Sequence, residues 1–219
     1  MKTRLKLFFL LLLTSAFLLA QKQSNPYLFD TFKRGKIIYK KGAPVEANFN
    51  YDTAREILVF LDTDSVVMEI DNTSNMAALS IDNRIFEHIG KGTFYERIPI
   101  DDSFLYIRWQ SKRISEGRTG AYGTKSPTSS ITSIGQYNAP GGVVRLKDTE
   151  EFSYSPSNYY YLKINNKFKR FNSDDSLSKL FKGHEDEIKK QVKEDNINLK
   201  DIDDIKKIVA FCLSLEKKK

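Results

Sequence analysis

The stretch VEANFNYDTAREILVFL, residues 45–61, carries two strand signatures on either side of a turn. Val45, Ala47, Phe49 and Tyr51 alternate with Glu46, Asn48 and Asn50, and that period of two turns one set of side chains to a core and the other to water. Asp52 and Thr53 are turn formers. Beyond them EILVFL, Glu56 to Leu61, is an apolar run of strand length that suits a hairpin partner buried on both faces.

The same rhythm runs on through VVMEI (66–70), AALSI (77–81), RIFEHI (84–89), TFYERI (93–98) and FLYIRW (104–109), each separated by Asn, Asp, Ser or Gly. Short strands so spaced predict an antiparallel β meander, barrel- or sandwich-like. No helical pattern interrupts them, which argues against βαβ units and against a doubly wound nucleotide-binding fold. On the strand pattern Phe49, Phe60, Phe94 and Phe104 are expected inside.

Residues 111–142 break the rhythm with Gly117, Gly120, Gly123, Gly135, Gly141, Gly142, Pro127, Pro140 and many hydroxyls. A long loop of this kind inside a domain has a function or is disordered. Its AYGTKSPTSS (121–130) has the composition of a phosphate cradle but not the order. A P-loop needs its glycine directly before the lysine, and Thr124 separates Gly123 from Lys125. Two further strand signals follow, VVRLK (143–147) and YYYLKI (159–164). The latter meets KFKRF (167–171) across Asn165-Asn166, residues that tolerate the positive φ of a hairpin turn. Tyr159, Tyr160 and Tyr161 cannot all face one way, and covering by the tail is expected for part of this run.

The tail changes period. Asp174 or Asp175 suits the cap of a helix through SLSKLF. HEDEIKKQVKED spaces Ile188 and Val192 four apart, with acids early and lysines late as the helix dipole prefers. From about Asp201 a last helix aligns Ile205, Ile208, Val209 and Cys212 on one stripe. The fold expected is α+β: a β-rich body over 21–172 and a C-terminal helical hairpin over 173–219 that packs on it. A DNA-reading helix-turn-helix has the same outline, but a packing hairpin is the simpler reading.

At the other end Lys2, Arg4 and Lys6 precede an apolar run from Leu7 to Ala20, the pattern of a secretory signal peptide over 1–20. Ala20 is the expected cleavage site, with Ala16 as the alternative. The run is shorter than the roughly 20 residues that span a bilayer, so the mature chain is expected to have no transmembrane segment and to lie in the periplasm or outside the cell. The whole chain has 35 Lys and Arg against 28 Asp and Glu, a formal charge of +7. The leader holds three of the cations and no acid, so +4 remains without it. Lys217-Lys218-Lys219 reads as a solvated tail, and nucleic acid is not an expected partner.

Catalytic signatures are sparse. Cys212 is the single cysteine, so no internal disulfide forms, and its apolar neighbours make it a core residue. His88 and His184, the two histidines, fall in different elements, and GHEDE lacks the second histidine of a zincin. There is no G-x-S-x-G elbow. Asp62-Thr63-Asp64 and Asp101-Asp102 do not continue into a calcium loop and read as turn carboxylates. No cofactor or metal site is expected.

KRGKIIYKKGAPVEANFNYD (33–52), IDNRIFEHIGKGTFYERI (81–98), AYGTKSPTSS (121–130) and the YYYLKINNKFKRF ending with its helical tail occur in an order that resembles a group of secreted Bacteroidota envelope proteins of no assigned activity. The resemblance implies an envelope or extracellular setting and supplies no catalytic residue. The function expected is therefore non-enzymatic: an envelope protein-interaction module presenting the 111–142 loop, with contacts from Tyr122, Lys125, Ser126, Thr128, Ser129 and Ser130. The alternative is a glycan- or lipid-binding β-barrel module that uses exposed aromatics as a platform. A hydrolase of envelope polymers is the third reading.

Overall fold

Strand periodicity becomes one ten-stranded antiparallel sheet in the computed structural model, which describes residues 25–119, 125–126, 136–139, 142–145 and 150–217. The expected signal peptide lies outside the described residues. In chain order the sheet takes β1 (Lys33–Tyr39), β2 (Val45–Asp52), β3 (Ile57–Leu61), β4 (Val67–Glu69), β5 (Met76–Ile81), β6 (Arg84–Gly90), β7 (Thr93–Ile100) and β8 (Ser103–Arg108). It resumes after an excursion with β14 (Tyr159–Ile164) and β15 (Lys167–Phe171). The order across the sheet is β15-β14-β8-β7-β6-β5-β1-β2-β3-β4. Two meanders therefore run away from a central β1–β5 pair. The expected 45–61 hairpin is present, with Phe49 opposite Phe60 and Tyr51 opposite Leu58.

The sheet is open, ending on β15 and β4, yet it curls like part of a barrel. Tyr51 on β2 and Phe86 on β6 lie three strand steps apart, roughly 14 Å in a flat sheet at about 4.8 Å per step. Their ring centroids are 6.2 Å apart. Gly35 in the middle of β1 permits this closeness, because a Cβ there would collide with the Ser80 carbonyl oxygen and lie 2.9 Å from the Phe49 ring. The turn between β2 and β3 then reaches β8. Ser111 N–H donates to the Thr53 carbonyl at 3.0 Å, and Arg108 Nε donates to Glu56 Oε2 at 2.6 Å.

Register sorts the side chains onto two faces. The concave face holds Ile37, Phe49, Tyr51, Leu58, Leu79, Ile81, Phe86 and Phe94, all buried, with Phe29 from the N-terminal segment packed among them. Further along, Ile100, Leu105, Ile107, Tyr160, Leu162 and Phe171 form a second core under the helices α1 (Asp174–Ser178), α2 (Glu185–Glu194) and α3 (Ile202–Glu216). Tyr160 is the tyrosine of its run that the tail covers, while Tyr161 stacks on Tyr95 on the opposite face, centroids 4.8 Å apart. Phe104 departs from expectation. It is 38% exposed, because alternation turns it away from buried Leu105 onto the face without helices.

Caps fix the helices. Ser173, one residue before the expected cap, closes a capping box with Ser176. Asp201 caps α3 by accepting from the Asp203 and Asp204 amides, and Ile205, Ile208, Val209, Cys212 and Leu215 are its buried stripe. Asn165 and Asn166 have φ of 49° and 60°, as the two-residue hairpin requires.

Residues 112–155 form a separate unit. β10 (Lys125–Ser126), β9 (Ser111–Thr119) and β13 (Glu150–Pro156) make a three-stranded sheet, and β11 (Gln136–Ala139) pairs β12 (Gly142–Arg145). The region read as one loop over 111–142 thus contains strands. SKRISEGRT lacks an apolar alternation to announce one, and its pairing comes from β13. Within this unit the Ser153 hydroxyl donates to the Glu116 carboxylate.

A candidate ligand notch on the β6–β8 edge

Unequal hairpins open a notch in the main sheet. The β5–β6 hairpin ends at the Asp82-Asn83 turn, both residues at positive φ, whereas β7 continues past its last β6 partner, Arg97, to Ile100. Pro99 stands in this overhang, where a residue without an N–H deprives no β6 partner of a bond. The resulting cavity of about 540 Å³ is walled by Asn83, Arg84 and Ile85 of the shorter hairpin and by Ile98, Pro99 and Phe104 of the longer one. Glu96 and Trp109 line its floor on the helix side, Arg97 borders it from the opposite face of β7, and Ile202 and Lys206 from the first turns of α3 close its side.

At the floor lies a polar cluster on the apolar concave face. Glu96 is only 4% exposed and accepts three hydrogen bonds: from Arg84 Nε at 2.7 Å, Arg84 Nη2 at 2.6 Å and Trp109 Nε1 at 2.6 Å. The Arg84 guanidinium lies over three rings, Phe29 at 4.8 Å, Trp109 at 5.0 Å and Phe86 at 5.6 Å. Its charge is therefore met by a carboxylate in its plane and π faces around it, the arrangement that suits a planar cation. Trp109 packs against both cores and bridges them at this point.

The rim carries more charge. Arg97 pairs with Glu87 and lies 4.7 Å over the Phe104 ring, and Lys206 Nζ reaches Asp203 at 2.9 Å. Cations outnumber the one carboxylate among the lining residues, three to one. One aromatic ring on each side of the strand overhang, each beside a guanidinium, with amide and ammonium donors next to them, gives the cavity groups able to meet a polar ligand by ring contact and by hydrogen bonds.

Behind the notch, the helix-free face carries a tyrosine network. Burial and the Tyr161 hydroxyl push Tyr95 up to about 12, and burial with the nearby Glu87 also raises Tyr106. Bidentate pairing with Glu56 holds Arg108 still more firmly protonated than usual. The Glu56–Arg108 pair ties the turn of the β2–β3 hairpin to β8.

Of the residues expected to bind, Lys125 and Ser126 form β10, paired with Thr119 and Arg118 of β9. Tyr122, Thr128, Ser129 and Ser130 lie outside the described residues. Cys212 is fully buried in the helical core, and burial pushes its thiol up to about 12. His184 stands at the N-cap of α2 with its Nδ1 3.4 Å from Glu187 Oε2 rather than on a helix amide, and His88 packs on Phe94 at 5.1 Å. Asp62 accepts from the Asp64 and Val66 amides, the turn role read from its sequence. Among the described residues no group of His, Cys, Asp and Glu converges as metal ligands, and no helix is long and apolar enough to cross a membrane.

Sequence reasoning missed Arg84, Glu96 and Trp109 as a site. A signal was present. Arg84 shares a register with Phe86, and Glu96 falls between Phe94 and Ile98, so each charge stands in an apolar period of two and demands a partner. No protein-family model, curated protein or solved structure matches the chain.

Proposed function

We propose that this protein is an exported, non-catalytic binding module whose notch beside Trp109 holds a saccharide. The observation that carries the reading is the open cavity of about 540 Å³ at the strand overhang, with Trp109 and Lys206 lining it on the helix side of the sheet and Phe104 and Arg97 on the helix-free side. Rings that stack on sugar faces, next to donors that meet hydroxyls, are the composition such a ligand needs. A lipid chain asks instead for an apolar tunnel.

The non-catalytic part rests on the same cluster. Glycoside hydrolysis by the usual route takes two carboxyl groups about 5–9.5 Å apart across the scissile bond. The notch lining contributes one, Glu96, already committed to three donors. Export rests on the leader pattern of residues 1–20.

Trp109 is the single tryptophan of the chain, so its fluorescence reports on the notch directly. Titration with oligosaccharides prepared from bacterial envelope and capsule polymers is expected to give a saturable change with at least one member. Phe104→Ala and Asn83→Gly, which removes the amide and keeps the positive φ of the turn, should weaken that binding tenfold or more, by analogy with the roughly 1.4 kcal/mol that a lost stacking or hydrogen-bond contact represents. No saturable response across the panel, with no retention on immobilised polymers, overturns the reading.

A further inference from the structure

We propose that copies of this chain associate head to tail, the β4 edge of one pairing with the β15 edge of the next. Among the described residues β4 pairs only with β3, and β15 only with β14. Every neighbouring pair in the ten-stranded sheet is antiparallel, so the two edge strands run in opposite directions. A second sheet added in the same sense meets the first with antiparallel pairing intact.

The free backbone groups match. Ile70 N–H donates to the Leu58 carbonyl and Asp62 N–H to the Val66 carbonyl, so the alternation of the ladder turns Met68 inward and leaves Val67 and Glu69 facing off the sheet. On β15 the residue after the two-residue turn, Lys167, bonds inward to Ile164, which leaves Phe168 and Arg170 facing outward. Each edge thus offers two outward residues two positions apart. Setting Val67 against Arg170 and Glu69 against Phe168 places Glu69 diagonal to Arg170 and Val67 diagonal to Phe168, within reach of long side chains.

Charge selects this pairing over the others. β4 is flanked by Asp62, Asp64 and Asp71, and Glu69 is answered within its own chain by Arg55. β15 carries exposed Lys167, Lys169 and Arg170, and its neighbour β14 adds exposed Lys163. Two β4 edges bring acids together and two β15 edges bring cations together, so only unlike edges attract. Lysines guard the β15 edge against its own kind, as edge strands require. β4 is guarded only by acids, with its outward Glu69 already paired to Arg55, and Val66, Val67 and Met68 stay 53%, 44% and 44% exposed at that edge. A contact between two different surfaces repeats, so the product is an open chain or a ring and not a closed dimer.

Sedimentation of the purified protein over a wide concentration range tests this. At low salt the weight-average mass is expected to exceed twice that of the monomer at the top of the range, and to fall back in high salt. Val67→Pro removes an outward N–H and no internal ladder bond, and Lys169→Glu with Arg170→Glu reverses the other edge. Each variant alone should remain monomeric. Mixed, they retain one unblocked edge of each kind and should form one-to-one dimers and nothing larger. If circular dichroism shows that Val67→Pro has lost its strands, Asp64→Lys with Asp71→Lys serves as the β4 variant. A wild-type protein that stays monomeric throughout, variants that associate like it, or a mixture that yields no dimer overturns the proposal.

Discussion

Replacing Glu96 with alanine removes the anion that holds Arg84 among the rings of Phe29, Phe86 and Trp109. The carboxylate is 4% exposed and takes both Arg84 bonds and the Trp109 N–H, so all three donors lose their acceptor at once. Breaking a buried ion pair by removing one partner costs about 3–5 kcal/mol. The Arg84 side chain keeps 30% of its exposure and recovers part of that from water, which puts the expected loss near the lower end, about 3 kcal/mol. For a domain of this size that lowers the Tm by roughly 6–12 °C. Urea unfolding followed by Trp109 fluorescence measures it. Glu96→Gln keeps an acceptor for Trp109 but not the charge, and should fall between wild type and alanine. Arg84→Met combined with Glu96→Leu removes both charges and should be less damaging than the sum of the single changes, a coupling that a double-mutant cycle resolves. A loss under about 1 kcal/mol for Glu96→Ala, or strict additivity in the cycle, refutes the view that this cluster joins the two cores.

Gly35→Ala should cost about 1–3 kcal/mol in the same assay, since the new Cβ meets the Ser80 carbonyl and the Phe49 ring where the curled sheet has no room to relax. Cys212 is expected to resist thiol reagents in the native protein and to react once urea unfolds it. With the thiol and Tyr95 each pushed up to about 12, the native state holds protons that the unfolded chain releases earlier. Their contribution is therefore whole below about pH 8.5 and is lost progressively as pH rises from the ordinary thiol and phenol ranges up to about 12, so urea midpoints should fall from about pH 9 upward. Cys212→Ala should flatten the first part of that fall. Substituting a Gly-Ser linker for residues 121–130 should leave saccharide binding at the notch unchanged. In a crosslinking pull-down it should abolish capture of any envelope protein that the segment itself contacts, and retained capture by the linker variant removes that segment as a partner surface.

The meander was legible because alternation is a local property. Phe49 opposite Phe60 follows from two runs and one turn, and the helical stripe of Ile205, Ile208, Val209 and Cys212 follows from a single period. What escaped depends on distant partners. β1 reads as a basic stretch, KRGKIIY, and becomes the centre of the sheet because β2 and β5 supply ladders on both its sides. Phe104 looks like core by type, but register against Leu105 sends it outward. Glu96 announces itself as a charge in an apolar register, while its answer, Arg84, lies twelve residues away on another strand. Lys206 enters the notch only because α3 packs there. A site built where strand lengths differ leaves no motif, since the length of one hairpin is informative only against that of its neighbour.

That difference in length also explains why the ligand site should lie at this place on the sheet. An antiparallel ladder satisfies its own backbone groups and offers a ligand little, except where one strand outruns the next. Here β7 outruns β6 on the stretch between the two cores, so the overhang opens beside Trp109, where the two apolar clusters meet. Filling it with further apolar side chains would have fused the cores. The Arg84, Glu96 and Trp109 cluster instead spans the gap with groups satisfied among themselves, which keeps the floor rigid while leaving the rim residues Asn83, Phe104 and Lys206 to meet a ligand. Rigid floor and adaptable rim are what pre-organised recognition requires. Variants should divide accordingly: changes to Glu96 or Arg84 lower stability and binding together, whereas changes to the exposed rim residues Phe104 or Lys206 lower binding alone.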